Sequence, residues 1–383
     1  MSELKVTLEA VKEVINHPNA DRLDIITVRG WNCVVGRDSL KKGDLVVYFP
    51  IDSILPTELE EFIFSDSKIK LDKSRVRTIK IRGAISQGLA VPFEKLAPTF
   101  HKLRQYSIGD DIKDILGVTK FEPKEESPFT VRGGKIASKK QINPNFNKYT
   151  DLNHLKNYQN VFDDNDIVVI TEKIHGTNFR AGYVPKMKGS FYKELKRKIM
   201  MFLKGEKDEY PGYEFVYGSH NVQLQEKNSF NKGIQNNFER KKNVYEEMVE
   251  RYDLKNKLSA GMVIYGEIYG DGIQKNYTYG LKDKIDMVVF DVMLDGEYKS
   301  LGIAMLICNG IGLPFVPILG YETYKDLNLD NYIYGNSVLC PTQKIREGVV
   351  IRPIAEETGY MGRKVFKVIS PDYLLQKGNS DWH

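Results

Sequence analysis

The chain has 383 residues, of which 41% are hydrophobic and 28% charged, an ordinary balance for a folded globular protein that excludes wholesale disorder. At roughly 150 residues per domain, this length predicts two or three domains. The formal net charge of +5 is too small to identify a nucleic-acid binder by itself.

Targeting signals and cysteine frameworks are missing from the sequence. No stretch reaches the roughly 18 consecutive apolar residues of a membrane span, and the N-terminal sequence MSELKVTLEAVKEV lacks the apolar centre of a signal peptide. Cys33, Cys308 and Cys340 lie far apart, which argues against a disulfide framework and against a CxxC metal site. We therefore expect a soluble protein of the reducing cytoplasm, without membrane contact.

The first 120 or so residues consist of short strand-like runs separated by turn signals. Their enrichment in β-branched residues predicts a small antiparallel barrel, for which an OB-fold is the commonest size match, over residues 1–122. The runs are LKVTLEAV, LDIITVRGWNCVVG, DLVVYFPI, RVRTIKIRG and SQGLAVPF.

A Lys-, Pro-, Ser- and Asn-rich segment over residues 123–150 indicates a linker, after which residues 151–383 predict a second domain. Its two helical candidates are FYKELKRKIMMFLKG, and NVYEEMVERYDLKNKLS with Val244, Met248 and Tyr252 on one face. Helices mixed with strands place the fold in the α+β class. The strand-like runs are IVVITEKI, FVYGS, MVIYGEIYG, DMVVFDVML and GVVIRPI.

One segment, TEKIHGTN, has the character of a reactive site. It puts Lys173 at the end of an apolar strand, beside a glycine turn whose backbone can approach a phosphate. A lysine becomes a nucleophile only with suitable charged neighbours. Candidates for these neighbours follow in or beside later strand-like runs: Glu267, Asp291, Glu347, Lys364 and Lys367.

These motifs, in this order, resemble those of the covalent nucleotidyltransferase superfamily of polynucleotide ligases and mRNA capping enzymes. The likeness is greatest to ATP-dependent nick-sealing RNA ligases, and it runs from Asn153 to the end of the chain. KIHGTN is similar to the motif of the adenylylated lysine, and IYGEIYG, FDV, EGVVIRP and KVFKV are similar to the four motifs that follow it.

The N-terminal third carries a second resemblance, to the branch of RNA ligases with an N-terminal OB domain. The strings concerned are HPNADRL, WNCVVG, VVYFPIDSILP and RVRTIKIRGAISQGL. HPNADRL also occurs in tRNA-binding OB modules of synthetases, so that string alone does not separate the two.

The resemblance implies a role for each matching residue. Lys173 is the nucleophile that becomes adenylylated, and Lys367 is the closing lysine, with Lys364 as the alternative. In an ideal strand these last two lysines face opposite sides. Mg²⁺ or Mn²⁺ is held by Glu267 and Glu347, with His175 as a weaker third candidate. The implied ATP-binding residues are Glu172, Ile174, Asn178, Arg180, His154, His220, Glu267, Phe290, Asp291 and Lys367.

Two of these residues depart from the family pattern. The branch usually has arginines where this chain has His154 and His220, and those arginines contact nucleotide or phosphate. Histidine is a weaker and pH-dependent substitute for arginine.

Cations for RNA binding occur in two places. Arg75, Arg77, Lys80 and Arg82 lie in one strand-like run and offer alternating cations that could follow a nucleic-acid backbone. A basic segment from Lys186 to Lys207 includes Lys193, Lys196 and Arg197. The same segment is equally well explained as the solvated face of a helix.

The function that the resemblance implies is ATP-dependent RNA ligation through lysyl-AMP and RNA-adenylate intermediates. The expected partner is RNA with a 5′-phosphate and a 3′-hydroxyl, at a nick in a duplex, for RNA repair by a monomeric enzyme. A capping-type guanylyltransferase would use GTP with the same lysine chemistry, although few residues follow Lys367 to form its C-terminal OB domain.

A non-catalytic tRNA-binding protein would need only the barrel. The separate residues also have ordinary structural explanations. Lys173 is then a solvated lysine at a strand end, Glu267 and Glu347 are structural acids, and Phe290 and Asp291 are strand and core residues.

Overall fold

The computed structural model describes most of the chain and divides it into two compact units. Unit 1 comprises Met1–Glu125, Asp151–Val161 and Val365–His383, and unit 2 comprises Glu126–Thr150 and Phe162–Lys364. The described residues are 4–65, 67, 69–121, 143–158, 160–187, 210, 212–224, 243–274 and 276–376.

Strands and helices both occur, which confirms the α+β prediction. The strands are β1 (Thr7–Ala10), β2 (Glu13–Asn16), β3 (Leu23–Val28), β4 (Trp31–Gly36), β5 (Leu45–Phe49), β6 (Ser53–Ile54), β7 (Thr78–Ile81), β8 (Ala84–Gln87), β9 (Leu89–Pro92), β10 (Thr119–Lys120), β11 (Asn153–His154), β12 (Ile167–Lys173), β13 (Thr177–Pro185), β14 (Tyr213–Gly218), β15 (Gln223–Leu224), β16 (Met262–Gly270), β17 (Ile285–Leu294), β18 (Glu297–Tyr298), β19 (Ile318–Thr323), β20 (Gly348–Pro353), β21 (Thr358–Gly359), β22 (Gly362–Arg363) and β23 (Phe366–Ile369).

The helices are short. The α-helices are α1 (Thr57–Ile63), α2 (Phe93–Leu96), α3 (Val244–Arg251), α4 (Leu254–Lys257), α5 (Leu301–Gly310), α6 (Asp330–Ile333) and α7 (Pro371–Leu374), and 3-10 turns occur at Asp72–Ser74, His101–Gln105, Leu155–Asn157 and Tyr324–Asp326. Among the described residues, no helix has the length and apolar character that crossing a membrane requires.

In unit 1 most strands form small antiparallel sheets, in the orders β1-β5-β9 and β2-β3-β4, with the hairpin β7-β8 beside them, while β11 and β23 form a parallel pair. Strand β5 lies between two apolar cores. Successive side chains of a strand point to opposite faces, so Val46 and Tyr48 enter one core while Val47 and Phe49 enter the other. Both faces of this strand are therefore buried, as its unbroken apolar run indicates.

The run predicted as one strand from Arg75 onwards is shorter in the structure. Strand β7 begins only at Thr78, and Arg82 and Gly83, both with positive φ, make the two-residue turn into β8. Arg75 and Arg77 therefore precede the strand, and the expected alternation of four cations along it is wrong.

In unit 2 the strands form a six-stranded antiparallel sheet, β15-β14-β13-β16-β17-β18, and a three-stranded group in which β12 lies between β20 and β19. Helix α3 begins after Asn243, whose side chain accepts a hydrogen bond from Tyr245 N at 3.0 Å. Val244 and Met248 are buried in the core of the six-stranded sheet, as their spacing predicts.

Helix α5 is absent from the sequence prediction. Leu301, Ala304 and Cys308 are buried, but Ile303 is 50% and Leu306 71% exposed. A helix that is apolar on its solvent face as well lacks the amphipathic pattern by which helices are recognised. The other helix candidate, residues 191–205, lies outside the described residues.

The end of the predicted linker is packed into unit 2. Asn143 is fully buried and donates hydrogen bonds from its amide group to Pro185 O and Glu214 Oε1, at 2.9 and 2.6 Å. Tyr149 is buried too and donates to Asp291 Oδ2 at 3.0 Å. Residues 143–150 thus belong to the fold of this unit.

Asp291 is the most heavily bonded buried carboxylate among the described residues of unit 2. Its fully buried Oδ2 accepts hydrogen bonds from Tyr149 Oη, Arg352 Nη1 and Arg363 Nη2, at 3.0, 3.0 and 2.9 Å. Arg363 is also bonded to both carboxylate oxygens of Glu356, at 2.6 and 2.7 Å. This network joins β17, β20, β22 and residues 143–150.

We predict that Asp291→Asn lowers the free energy of unfolding by about 3–5 kcal/mol, because the change leaves two buried guanidinium groups without their shared carboxylate. Urea denaturation followed by circular dichroism measures this loss. The matched control is Glu297→Gln, whose side chain is 81% exposed and pairs with Lys299 at 3.3 Å. It should change stability by less than about 1 kcal/mol. Equal effects of the two substitutions would contradict the structural role of Asp291.

Candidate active site

Lys173 lies at the last position of β12, beside a buried carboxylate. In the antiparallel register Lys173 faces Gly348, the first residue of β20, so Glu347 comes directly next to the lysine. Lys173 Nζ lies 2.8 Å from Glu347 Oε1, and the two side chains are only 12% and 1% exposed. The amine is thus held by a carboxylate at the C-terminal end of β12.

The turn after Lys173 is fixed by its backbone groups. The His175 N–H donates to Tyr279 Oη at 2.7 Å, and the Gly176 carbonyl accepts from Gln274 Nε2, also at 2.7 Å. A Cβ atom at position 176 would lie 2.1 Å from the backbone oxygen of Ile268. Only glycine fits this close approach between turn and strand.

Glu267 brings a second carboxylate to the same place from β16, where it faces Asn178 of β13. Burial raises the pKa of Glu267 to about 8, and the negative charge of Glu347 adds to this effect. The charge of Lys173 and a hydrogen bond from the Gly176 backbone act in the opposite direction. A cation placed between the two carboxylates would favour the ionised form of both.

The residues present suit a hard divalent cation. Glu347 Oε2 is buried and has no hydrogen-bond partner in the part of the chain that the structure describes. Mg²⁺ and Mn²⁺ prefer oxygen ligands, and Mg²⁺ in particular is often held by one or two carboxylates with water and phosphate oxygens completing its shell. Within the described ranges, no group of three or more His, Cys, Asp or Glu residues could hold a metal ion. Glu267 and Glu347 therefore fit a cation that takes its remaining ligands from a substrate.

His175, the weaker metal candidate, is buried with its ring edge-on to Tyr277, at 5.0 Å between centroids. Burial, together with the positive charge of Lys173, lowers the pKa of His175 to about 3, so the imidazole is neutral at physiological pH. Its role as a ligand stays a prediction.

Two more buried acceptor oxygens that lack partners in the described part of the chain, one on Glu172 and one on Asn178, belong to residues predicted to bind the nucleotide. Glu172 Oε2 accepts hydrogen bonds from Val338 N and Leu339 N, at 2.8 and 3.3 Å. Glu172 Oε1 and Asn178 Oδ1 are buried without partners among the described residues. Ile174, also predicted at this site, is 4% exposed. Buried acceptors without partners suit a ligand with N–H or O–H groups.

Arg180 has partners within the protein. The side chain is 1% exposed, and it donates to the carbonyl oxygens of Ser219 and Phe146, at 2.9 and 2.6 Å. Its guanidinium stacks on the Phe146 ring at 4.0 Å. These contacts give Arg180 a structural role, and its contact with ribose and phosphate stays a prediction.

The side chains of the FDV strand also have partners within the protein. Asp291 is fully buried and is bonded to two arginines and a tyrosine, and its place in a nucleotide pocket stays a prediction. Phe290 is partly buried, with its ring edge-on to Tyr149 at 4.8 Å. His220 is partly buried in the turn between β14 and β15.

His154 and Lys367 both belong to unit 1, where they face each other in the parallel pair of β11 and β23. The His154 ring is 2% exposed, lies 4.5 Å from the Trp31 ring, and accepts a hydrogen bond from Lys156 N at 3.2 Å. Burial and the nearby Lys156 and Lys367 charges lower the pKa of His154 well below its ordinary value. His154 is therefore a neutral, packed side chain, and its contact with nucleotide or phosphate stays a prediction.

The two candidate closing lysines differ clearly in their surroundings. Lys367 is 1% exposed in β23, whereas Lys364 precedes that strand, belongs to unit 2 and pairs with Glu357 at 2.9 Å. The expectation that both lysines lie in one strand, facing opposite sides, is therefore wrong. Their catalytic roles stay predictions.

Of the expected RNA contacts, Arg75 has a structural partner. Its guanidinium bonds Asp52 Oδ1 at 2.5 and 2.9 Å and stacks on Phe121 at 3.6 Å. Arg77 lies 3.6 Å from Asp72, while Lys80 and Arg82 are both exposed on the β7–β8 hairpin. Three further expected contacts, Lys193, Lys196 and Arg197, lie outside the described residues.

Tyr279 and Gln274, which bond the turn after Lys173, are absent from the sequence prediction. They lie about a hundred residues from the turn, in a loop without a recognised motif. Only the string IYGEIYG just before this loop marks the neighbourhood.

The chain is similar to solved RNA ligase structures over nearly its whole length. One is the Naegleria gruberi RNA ligase with PPi, at 24% identity and a TM-score of 0.67, covering 97% of this chain and 98% of that chain. Another is a lysine-to-alanine mutant of the same ligase with ATP and Mn, at 24% identity and a TM-score of 0.68, covering 96% and 98%. At such identities the likeness shows a shared fold. No curated protein is similar enough to count as a match.

Two family models match the chain. A model of an OB-fold domain matches residues 5–93, which confirms the predicted N-terminal fold. The RNA ligase model matches residues 166–369, which include Lys173, Glu267 and Glu347. Because this match spans more than half of the sequence, the chain belongs to the RNA ligase family.

Proposed function

We propose that this chain is an ATP-dependent RNA ligase that joins a 3′-hydroxyl to a 5′-phosphate through lysyl-AMP and RNA-adenylate intermediates, at nicks in duplexes. The observation that carries the proposal is the juxtaposition of Lys173 Nζ with Glu347 Oε1, 2.8 Å apart, in a member of the RNA ligase family. A lysine placed in this way is suited to attack a phosphorus atom.

In the first step Lys173 Nζ attacks the α-phosphorus of ATP. A nitrogen–phosphorus bond forms, the bond to the bridging oxygen breaks, and pyrophosphate leaves. The attacking amine must lose a proton, and Glu347 Oε1 is the nearest carboxylate oxygen to accept it.

Glu267 and Glu347 would hold Mg²⁺ or Mn²⁺, which supplies positive charge against the phosphates when bound. The pKa of Glu267, which burial raises, agrees with this assignment, because a bound cation would stabilise the ionised carboxylate there. The Naegleria ligase structures with ATP or AMP contain Mn, which agrees with the choice of metal.

The nucleotide's N–H and O–H groups suit Glu172 Oε1 and Asn178 Oδ1, the acceptors without partners among the described residues. Ile174 and Phe290 would then lie against the base. Arg180, Asp291 and His154 have no part in this proposal, because each already has partners within the protein.

In the second step AMP moves from Lys173 to the 5′-phosphate of RNA, which gives that phosphate a good leaving group. In the third step the RNA 3′-hydroxyl attacks and AMP leaves. Residues 1–122 would position the RNA through Lys80 and Arg82, and residues 151–383 would carry out the nucleotidyl transfers. Cations on a solvent-facing hairpin are suited to phosphate contacts.

Incubation with α-labelled ATP and Mg²⁺ or Mn²⁺ should give a covalent, acid-labile protein adduct that Lys173→Ala abolishes, because no other amine replaces the nucleophile. Denaturing gel electrophoresis measures the label. Lys299→Ala is the control, since that lysine of the same unit pairs with the exposed Glu297 at 3.3 Å and should keep the label. Labelling by GTP alone would indicate a guanylyltransferase, and no labelling by either nucleotide would indicate a non-catalytic RNA-binding protein.

Glu267→Ala and Glu347→Ala should each slow ligation by about a hundredfold or more, because catalytic charge stabilisation is lost. The measurement is the rate of sealing of a nicked duplex at saturating Mn²⁺. Glu297→Ala removes a surface carboxylate that is 81% exposed from the same unit and should leave the rate within about twofold of the wild type. Near wild-type sealing by either of the first two variants would place the metal elsewhere.

Replacing both Lys80 and Arg82 by alanine should weaken sealing while leaving the AMP adduct unchanged, since only the later steps require bound RNA. A plot of log K for RNA binding against log salt concentration should become less steep. Its slope should fall by about one unit for each phosphate that the protein no longer neutralises. Lys113→Ala, a change at another lysine of unit 1, is the control. An unchanged salt slope in the double variant would remove the hairpin from the RNA interface.

A further inference from the structure

The loop between β16 and β17 supplies two side chains to the turn that follows Lys173. Tyr279 Oη accepts a hydrogen bond from the His175 N–H, and Gln274 Nε2 donates to the Gly176 carbonyl, each at 2.7 Å. The side chains of the loop thereby form hydrogen bonds with one backbone N–H group and one backbone carbonyl group of the turn.

A third side chain, from Glu267, also bonds the backbone of this turn. The Gly176 backbone is bonded to the Glu267 carboxylate, so successive polar groups of the turn bond to Tyr279, Glu267 and Gln274. Buried backbone groups require partners, and here side chains provide them in place of a strand neighbour. The position of the turn therefore depends on where those three side chains are held.

Tyr279 is held firmly. It is 4% exposed, and its ring is edge-on to that of Tyr269, at 5.2 Å between centroids and 71° between planes. Its φ of 49° is in the left-handed region, which an aromatic residue rarely adopts. Such a conformation persists only where its surroundings determine it, and it is commonest at functional sites. Burial raises the pKa of Tyr279 well above its ordinary value, so the hydroxyl remains neutral.

We propose that Tyr279 and Gln274 are positioning residues for the nucleophile: by bonding the turn at His175 and Gly176, they hold Lys173 in line for attack on the α-phosphorus. Lys173 is only two residues before His175, and a displacement of the reacting atom by about 1 Å can cost about a hundredfold in rate. Neither residue touches the reacting atoms in this proposal. The proposal rests on the proposed ligase function. It adds to that function two residues that none of the sequence motifs contains.

The test separates the step that needs Lys173 as nucleophile from the step that does not. Tyr279→Phe removes only the hydroxyl, and Gln274→Met removes only the amide while keeping the length of the side chain. Tyr269→Phe is the matched control, because it removes a hydroxyl from the neighbouring ring of the same cluster. Each full-length variant is assayed for single-turnover labelling by ATP and, separately, for sealing of a nicked duplex whose 5′ end is already adenylylated. Thermal melting sets an assay temperature at which every variant is folded.

We expect Tyr279→Phe to slow labelling about ten- to a hundredfold at saturating ATP, and Gln274→Met to slow it by a smaller factor. Sealing of the pre-adenylylated nick should stay within about threefold of the wild type in both. The Tyr269→Phe control should retain both activities.

Three results would overturn the inference. The first is labelling by Tyr279→Phe within twofold of the wild type, and the second is an equal loss of labelling and of pre-adenylylated sealing, which would indicate general damage to the site. If Tyr279→Phe does not fold, the same criteria apply to Gln274→Met. The third, a wild-type protein that neither labels nor seals, would overturn the proposed function itself and this inference with it.

Discussion

The ion pair between Asp291 and Arg352 joins the two sheets of unit 2, and the active site depends on that junction. Asp291 lies in β17 of the six-stranded sheet, and Arg352 lies in β20 beside β12. Strand β20 begins directly after Glu347, and β17 pairs with β16, which carries Glu267. The two carboxylates therefore come to Lys173 from different sheets. The ion pair fixes the strands of these sheets against each other and so holds both carboxylates near the lysine. A site divided between two sheets needs such a fixed junction, since neither sheet alone holds all three residues.

The charge balance around Lys173 explains why this site suits both a cation and phosphates. One ammonium group faces the two carboxylates of Glu347 and Glu267, and burial raises the pKa of Glu267 to about 8. In a partly dry site, neighbouring like charges are costly, so the site lacks positive charge. A divalent cation would supply it and would bring phosphate oxygens as its remaining ligands. The same deficit of positive charge would therefore favour a metal–nucleotide complex over a nucleotide without metal.

Strand patterns account for the parts of the site that the sequence predicts. The apolar run of β12 ends at Lys173, and β16 and β20 are similar runs that carry or follow Glu267 and Glu347. Local sequence contains this information, because alternation and strand ends are local properties. Tyr279 contacts the turn from 104 residues away, and helix α5 is apolar on both faces, so neither leaves a local pattern.

The predicted site residues that already have partners inside the protein have one property in common. Arg75, Arg180, Asp291 and His154 are polar residues in or beside apolar runs, and each is bonded to another part of the protein. A polar residue at a buried position requires a partner, and the sequence alone does not distinguish a partner in the protein from one in a ligand. The structure distinguishes them by individual atoms. In the described residues, the buried carboxylate and amide oxygens that lack a partner are Glu172 Oε1, Asn178 Oδ1 and Glu347 Oε2. All three belong to the strands and turn around Lys173, so the unmet hydrogen-bonding capacity of these acceptors is concentrated where a nucleotide and a metal ion would supply it.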